Sequence, residues 1–384
     1  MSEAFIVDAL RVAGGRRKGR LANVHPADLG AMSLNALLAR TEFDPAAVDD
    51  VIFGCVTQSA EQSWHVGRNC VLASRLPQSV PAVTIDRQCG SSQQALHFAA
   101  QAVMAGVQDL VIAGGVESMT RVPIGSAAQG AQPWPASIQS RYQVTSFSQF
   151  YAAQTIARKW GFDRDSLDRY SLESHRRAAA AIKAHAFANE IVSARVSLAD
   201  GTEVDHDRDE GVRLEASLEA LSKLEPIAQG GVITAGNASQ VCDGSSAVLV
   251  ASERAVKLHK FEPLARIVGM TVTAGDPVIM LEEPLYATLK ALNRAGMKLG
   301  DIDLFEVNEA FAPVPLAWLK HTGADPQKLN VNGGAIALGH PLGASGTRLM
   351  ATLVHALRAR KKKYGLQTMC EGGGMANVTI VEAL

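Results

Sequence analysis

The sequence predicts an α/β fold made of two copies of one layered unit, with a lid inserted after the first copy. Three observations carry this. The first third alternates strand-like and helix-like segments, the middle loses that texture, and the last third repeats the first about 255 residues later. The chain has 384 residues, 47% hydrophobic and 20% charged, enough for a large core in two or three packed units.

In order, Phe5 to Asp8 reads as a strand, and Pro26 to Ala39 as a helix opened by Pro26 and Asp28. Asp50 to Cys55 is a strand, Val66 to Ser74 a helix, and Leu110 to Ala113 a strand closed by Gly114-Gly115. Between them lies the stretch that organises the rest. Val83, Thr84 and Ile85 form a β-branched run, Gln88 to Ser92 is a small polar break, and Ala95, Leu96, Phe98, Ala99, Ala102 and Val103 recur at helical spacing. Cys89 therefore sits at a strand–turn–helix junction, where the helix N-terminus is expected to lower a thiol pKa and make a nucleophile. On this stretch alone a small buried hydrophobe is the favoured reading of Cys89, and the rest of the chain changes that.

From about Val116 to Val241 the texture changes. Ser, Gln, Pro and aromatic residues fill Ile124 to Phe150, amphipathic helices follow around Tyr151–Trp160 and Asp165–Ala184, and Val204–Arg213 is acidic and loop-like. β-type sequence returns at Ala247–Ala251. The expected division is residues 1–115 with 242–263 as the first half, 116–241 as the lid and 264–384 as the second half. Asp303–Val307 answers Asp50–Gly54, the glycine-rich turn and helix Gly343–Ala359 answers the Cys89 helix, and Gly365–Cys370 answers Asp109–Gly114. Such a duplication can bring Cys89, the loop near His340 and Cys370 into one cleft across a pseudo-twofold axis.

A net charge of −1 argues against a general nucleic-acid binder. Arg358 to Lys363 reads as a solvated helix C-terminus, and the Arg16-Arg17-Lys18 cluster as a solvated or phosphate-facing loop. No apolar run approaches the roughly 18 residues that span a bilayer, and the N-terminus lacks a secretory pattern, so a cytoplasmic location is expected. Five cysteines with no C-x-x-C pair encode neither a disulfide framework nor a zinc knuckle, so a functional cysteine works as a thiol.

Three segments of the last third carry polar chemistry. Asn308-Glu309-Ala310-Phe311-Ala312 follows a strand, where Asn and Glu can cap the next helix. Asn332 to Gly346 holds five glycines and the single histidine His340; with no Lys-Ser/Thr and no G-x-G-x-x-G, phosphate-loop and dinucleotide readings fail, while close backbone approach around His340 is allowed. Cys370 ends a strand before Gly372, Gly373 and Gly374, which suits an acid/base beside backbone N–H donors.

Taken together, Cys89 after V-T-I-D-R-Q, GGVESM at Gly114–Met119, TAGNAS at Thr234–Ser239, NEAFA at Asn308–Ala312, GGAIALGHPLGASG at Gly333–Gly346 and CEGGG at Cys370–Gly374 resemble the thiolase family over essentially the whole chain. The resemblance implies the thiolase fold, with duplicated α/β/α/β/α layered halves and an inserted lid domain. It implies thiolysis of a 3-ketoacyl-CoA with coenzyme A as substrate, no metal or redox cofactor, and a homodimer or homotetramer without nucleic-acid or membrane partners. By the same resemblance, Cys89 is the acyl-accepting nucleophile, His340 its base and a stabiliser of the enolate oxygen, Asn308 the holder of a water in that enolate oxyanion hole, and Cys370 the acid/base at the acetyl methyl carbon. The amides of Cys89 and Gly372 form the second oxyanion hole; Ser239 matches a residue near pantetheine, Arg213 one near the CoA nucleotide, and Met280 one of the acyl pocket.

The pattern departs from the family at Asp86 (commonly Asn), at Ser91-Ser92 (commonly Ser-Gly), at Ala376 (commonly Gly) and at Ser148-Gln149, where short-chain biosynthetic members carry His-Met. The last departure favours a degradative enzyme for bulkier 3-ketoacyl-CoAs, steroid- or ring-derived ones included. The alternatives are a biosynthetic acetoacetyl-CoA thiolase and a catalytically silent thiolase-like subunit. A ketoacyl synthase would have no need of Cys370.

Overall fold

The computed structural model describes residues 3–384. The first half contains strands β1 (Ala4–Val12), β2 (Gly15–Arg16), β3 (Asp50–Gly54), β4 (Ala82–Ile85) and β5 (Leu110–Ser118), with helices α1 (Pro26–Thr41), α2 (Val66–Ala73) and α3 (Ser91–Met104). Next come α4 (Ala136–Tyr142), α5 (Gln149–Trp160), α6 (Arg164–Lys183), β6 (Ile191–Val192), β7 (Ala194–Ser197), β8 (Glu203–His206) and α7 (Leu218–Ser222). The chain then returns to the main sheet through β9 (Cys242–Ser252) and α8 (Glu253–His259). The last third holds β10 (Ala265–Ala274), α9 (Glu283–Ala295), β11 (Leu304–Val307), α10 (Pro313–Thr322), α11 (Ala335–Leu338), α12 (Ser345–Ala359), β12 (Tyr364–Glu371) and β13 (Met375–Ala383).

One sheet runs through the molecule in the order β11-β12-β13-β10-β1-β9-β5-β3-β4. The duplication is visible in its pairing. β1–β9–β5–β3 has the sense antiparallel, antiparallel, parallel, and β10–β13–β12–β11 repeats it. Even the irregularity is copied: the β1/β9 ladder shifts register between Ile6 and Asp8, and the β10/β13 ladder between Ile267 and Gly269. The halves join edge to edge where β1 pairs antiparallel with β10.

Several strands are longer than their apolar runs suggested. β1 continues through Asp8 and Arg11, and β5 through Glu117, because these buried charges find distant partners. Arg11 pairs with Glu190 at 2.6 Å and Asp209 at 2.7 Å, and Glu117 accepts from the amides of Val56 and Thr57. The acidic stretch expected to be loop contains β8, which pairs antiparallel with β7. The Arg16 cluster is tied down by Glu210, whose carboxylate accepts from the amides of Arg16 and Arg20, and Arg358 to Lys363 are exposed around the end of α12.

Helices α3 and α12 pack against each other and against the sheet. Both are buried nearly all round, which is how a helix in a middle layer differs from an amphipathic surface helix. Their approach depends on Gly346, since a Cβ there would overlap the backbone nitrogen of Gln93. Gly346→Ala gains about 1 kcal/mol of helix propensity but forces backbone apart, which costs about 1–3 kcal/mol. A net loss of stability with reduced turnover is therefore expected in denaturant unfolding of the variant, and an unchanged unfolding midpoint would contradict the packing argument.

Candidate active site

The turn that carries Cys89 is set by local polar bonds. The Gln88 amide donates to Asp86 Oδ1 at 2.6 Å, and the Ser91 amide and Oγ both donate to the Gln88 carbonyl, at 3.0 and 2.6 Å. Gln88 is thereby held at φ 49°, a left-handed conformation costly for a side-chain-bearing residue. Asp86 and Ser91 thus build the turn. Ser92, another departure from the family pattern, accepts from the Thr347 amide at 3.0 Å and ties the start of α3 to α12.

The His340 loop lies on this junction. Backbone closeness is extreme: a Cβ on Gly54 would stand 2.5 Å from the Ser92 nitrogen, and one on Gly115 would overlap the Gly343 carbonyl. Glycine is the residue that permits such approach. The loop is held from below by Glu117, which accepts from the Gly343 amide at 2.9 Å, and from the side by Gln240, whose carbonyl accepts from the His340 amide at 3.1 Å.

His340 is buried, with Nδ1 2.5 Å from Ser345 Oγ and Nε2 3.3 Å from Asn308 Nδ2. Ser345 Oγ donates its one proton to the Pro341 carbonyl at 2.8 Å, so it accepts from Nδ1–H. This assigns the tautomer: Nε2 keeps its lone pair and accepts from Asn308. Burial, with Arg348 adding repulsion, holds the imidazole pKa down to about 3, so His340 is neutral in the resting protein. Ser345→Ala removes the group that selects this tautomer. We expect kcat/KM to fall about 10- to 100-fold with little change in fold, short of the roughly 10²–10⁴-fold worth of a general base itself; an unaffected kcat/KM would refute the assignment.

Cys89 is half-buried, and its thiol is not depressed as the helix N-terminus alone suggested. Burial, then the Glu371 carboxylate, push it up to about 12. The reason is positional: α3 begins at Ser91, beyond the cysteine, and the dry pocket outweighs the dipole. Cys370, buried at the end of β12, is also raised, first by burial and then by the field of Cys89, so the two thiols interact. After it, Gly373 and Gly374 take φ of 85° and 79° to close the β12–β13 hairpin. Gly372 faces the Cys89 turn, where a Cβ would stand 2.9 Å from Gln88 Oε1. Ala376 lies within β13, opposite Cys370, and leaves this turn untouched.

Asn308 is buried, with its amide bonded to the Thr368 carbonyl at 3.1 Å and its Oδ1 without a protein partner. Ser239 is brought to the same place, its amide donating to the Ala310 carbonyl at 2.9 Å. Met280 is buried in the same apolar cluster as Cys370, and its loop is latched to the triple-glycine turn by the Gly275 amide on the Gly374 carbonyl at 2.7 Å. Arg213 is exposed on the inserted region, and its amide donates to His175 Nδ1 at 3.1 Å; among the described residues no hydrogen bond joins it to Cys89, His340 or Cys370. Ser148 caps α5, its Oγ accepting from the Tyr151 amide at 3.3 Å.

Two positioning carboxylates escaped the sequence reading. Glu309 does not cap a helix; it accepts from Tyr170 Oη, Ser174 Oγ, Asn330 Nδ2 and the Ile336 amide, fastening α6 to the loop before His340. Glu117 does the same work between β3, β5 and Gly343. Their only sequence signal is an acidic residue inside an otherwise buried motif. Cys55, Cys70 and Cys242 are buried free thiols, and among the described residues no group of three or more His, Cys, Asp or Glu could hold a metal ion. Nor is any described helix long and apolar enough to cross a membrane.

Comparison with known proteins gives the family. The family model for the thiolase N-terminal domain matches residues 4–254, and that for the thiolase C-terminal domain matches residues 261–383. The chain is 52% identical to steroid 3-ketoacyl-CoA thiolase FadA6 of Mycobacterium tuberculosis, covering 100% of this chain and 95% of that protein. It is 41% identical to the 3-ketoacyl-CoA thiolase of Erwinia tasmaniensis, with 100% of each covered. Among solved structures, the Bacillus anthracis acetyl-CoA acetyltransferase superposes with a TM-score of 0.92 at 34% identity, and human mitochondrial 3-ketoacyl-CoA thiolase with 0.90 at 38%, each match covering 100% of this chain and 99% of the other. With both halves of the fold, the motifs and these likenesses in agreement, the chain belongs to the thiolase family of acyl-transferring enzymes.

Proposed function

We propose that the protein is a degradative thiolase that cleaves a 3-ketoacyl-CoA with coenzyme A, through an acyl group held on Cys89. The observation that carries the reading is that two thiols from opposite halves of the duplicated sheet feel one another's charge, beside the start of the Cys89 helix where the loop of a buried, tautomer-fixed histidine packs. His340 Nε2 takes the Cys89 proton as sulfur attacks the keto carbon. The Cα–Cβ bond breaks, the enolate oxygen is held by His340 and by a water on Asn308, and the Cys370 thiol protonates the enolate carbon to release acetyl-CoA. Incoming CoA returns a proton to the Cys370 thiolate and its sulfur attacks the acyl-Cys89 thioester. The amides of Cys89 and Gly372 hold the tetrahedral oxyanion. Cys89 then leaves as thiolate and regains its proton from His340. Coenzyme A is a substrate here, not a resident cofactor.

On the same reading residues 116–241 form a lid over halves 1–115 with 242–263 and 264–384, Ser239 and Arg213 meet the CoA arm and nucleotide, and Met280 lines the acyl pocket. A bulky, ring-bearing acyl group is supported by the steroid thiolase likeness and by Ser148, a small capping residue, at the entrance to α5. Five free cysteines suit the reducing cytoplasm. A homodimer, or a tetramer of two such pairs, is supported by the open edge strand β4, with Val83 39% exposed and Phe98 of the adjacent α3 40% exposed.

The test is thiolysis across 3-ketoacyl-CoAs from four-carbon to long-chain and cyclic, with light-scattering mass alongside. Rates that rise beyond acetoacetyl-CoA support the degradative reading. Activity confined to acetoacetyl-CoA would favour the biosynthetic one, and inactivity with all substrates a silent subunit.

A further inference from the structure

One ionisable group in the site is used by none of these steps and has no hydrogen-bond partner. Glu371 follows Cys370 at the end of β12, is fully buried, and neither carboxyl oxygen meets a hydrogen-bond donor. Buried carboxylates are ordinarily satisfied, as Glu117 and Glu309 are in this same molecule, each with donors on both oxygens. Glu371 is also placed where its charge matters. A Cβ built on Gly90 would overlap Glu371 Oε1, so the carboxyl group lies on the residue that joins Cys89 to α3.

No neighbouring group gives it a hydrogen bond. From the nucleophile turn, Asp86 and Arg87 face it: Asp86 is a like charge that disfavours the carboxylate, while Arg87 favours it through space but directs Nη1 to Met375 Sδ at 3.8 Å and makes no hydrogen bond to it. From β13, Asn377 gives Nδ2 to the Gly90 carbonyl at 3.1 Å instead of to the carboxylate. From β12 there is Cys370 itself.

We propose that Glu371 is a positioning residue that gates charge at the two-thiol site: as a neutral carboxyl group it lets Cys89 and Cys370 carry negative charge in turn, and as a carboxylate it suppresses both thiolates. This rests on the thiolase reading for its catalytic consequence, though not for its effect on Cys89. Burial holds the Glu371 carboxyl up at about 8, and after burial its field is the largest influence raising the Cys89 thiol. The sign follows. Below pH 8 the group is protonated and the site can ionise; above it the carboxylate forms, and turnover falls about tenfold per pH unit if only the protonated form works.

Glu371→Gln keeps the shape, stays neutral at every pH and breaks no hydrogen bond. The ratio of Glu371→Gln to wild-type kcat/KM for thiolysis is expected to rise about tenfold between pH 7 and pH 9; a ratio constant over that range overturns the proposal. A second readout needs no substrate: the rate of Cys89 alkylation by iodoacetamide, followed by peptide mass spectrometry. In wild type its rise with pH flattens between about pH 7.5 and 9 as Glu371 ionises, whereas Glu371→Gln keeps the full slope of tenfold per unit. Should the variant fail to fold by circular dichroism, an unbroken slope in wild type alone refutes the gate. Absent thiolysis with a clear alkylation difference sinks the thiolase reading and leaves the gate standing; active thiolysis with coincident profiles does the reverse.

Discussion

Cys89→Ala is expected to abolish thiolysis, lowering kcat by about four orders of magnitude or more, with substrate binding retained. The size follows from the chemistry: without a nucleophile the carbon–carbon bond must be cleaved in one step by CoA itself, and removing a covalent nucleophile from a concerted unit of residues costs nearly the whole advantage of that unit. The fold should tolerate the change, because Cys89 is half-buried and the turn is held by Asp86, Gln88 and Ser91, not by the thiol. Unfolding midpoints for wild type and variant should therefore coincide while turnover disappears. Residual activity within tenfold of wild type would remove Cys89 from the mechanism.

Cys370→Ala should show a different failure. The thiol's proposed work is proton transfer at carbon, so thiolysis should fall about 10³-fold or more, at the upper part of what a positioned acid supplies. Exchange of an acyl group between acyl-CoA and free CoA breaks no carbon–carbon bond. It asks of Cys370 only the proton exchanged with the CoA sulfur, a transfer that water can also make because a thiol ionises far more readily than a carbon acid, and should persist within about tenfold. Loss of both activities together would point to collapse of the hairpin turn, which is conceivable because the cysteine is fully buried at the end of β12; equal unfolding midpoints for wild type and Cys370→Ala are the control for that. Loss of neither would assign the carbon acid to another group.

The stretch around Cys89 was legible because two periodicities meet there, a β-branched run and then apolar residues at helical spacing. The repeat was legible because strands of the same type recur in the same order, and the copied register shifts at Ile6/Asp8 and Ile267/Gly269 show how deep the duplication runs. What stayed hidden was anything set by partners far along the chain. Arg11, Glu117 and Asp243 lie outside the apolar runs and still belong to strands, because Glu190, Asp209, Val56, Thr57 and Thr120 answer them. β8 was missed since Glu203-Val204-Asp205-His206 offers a single aliphatic residue between acidic ones; Arg195 pairs with Asp205 at 3.1 Å on the exposed face of the ladder, while Val204 and His206 turn to the face that Ala194 and Val196 bury. The protonation state of Cys89 was misjudged for the same reason. A helix N-terminus is local and visible in sequence, whereas the burial and the Glu371 carboxylate that outweigh it come from the other half of the molecule. The tautomer of His340 likewise required Ser345 and the Pro341 carbonyl to be seen together.

The most direct test is to mix the protein with a 3-ketoacyl-CoA in the absence of free CoA and measure intact and peptide masses after acid quench. The account predicts one acyl group per chain, on the peptide containing Cys89, discharged on adding CoA and absent from Cys89→Ala. An acyl group on Cys370, or turnover with no covalent adduct at any time, would contradict it.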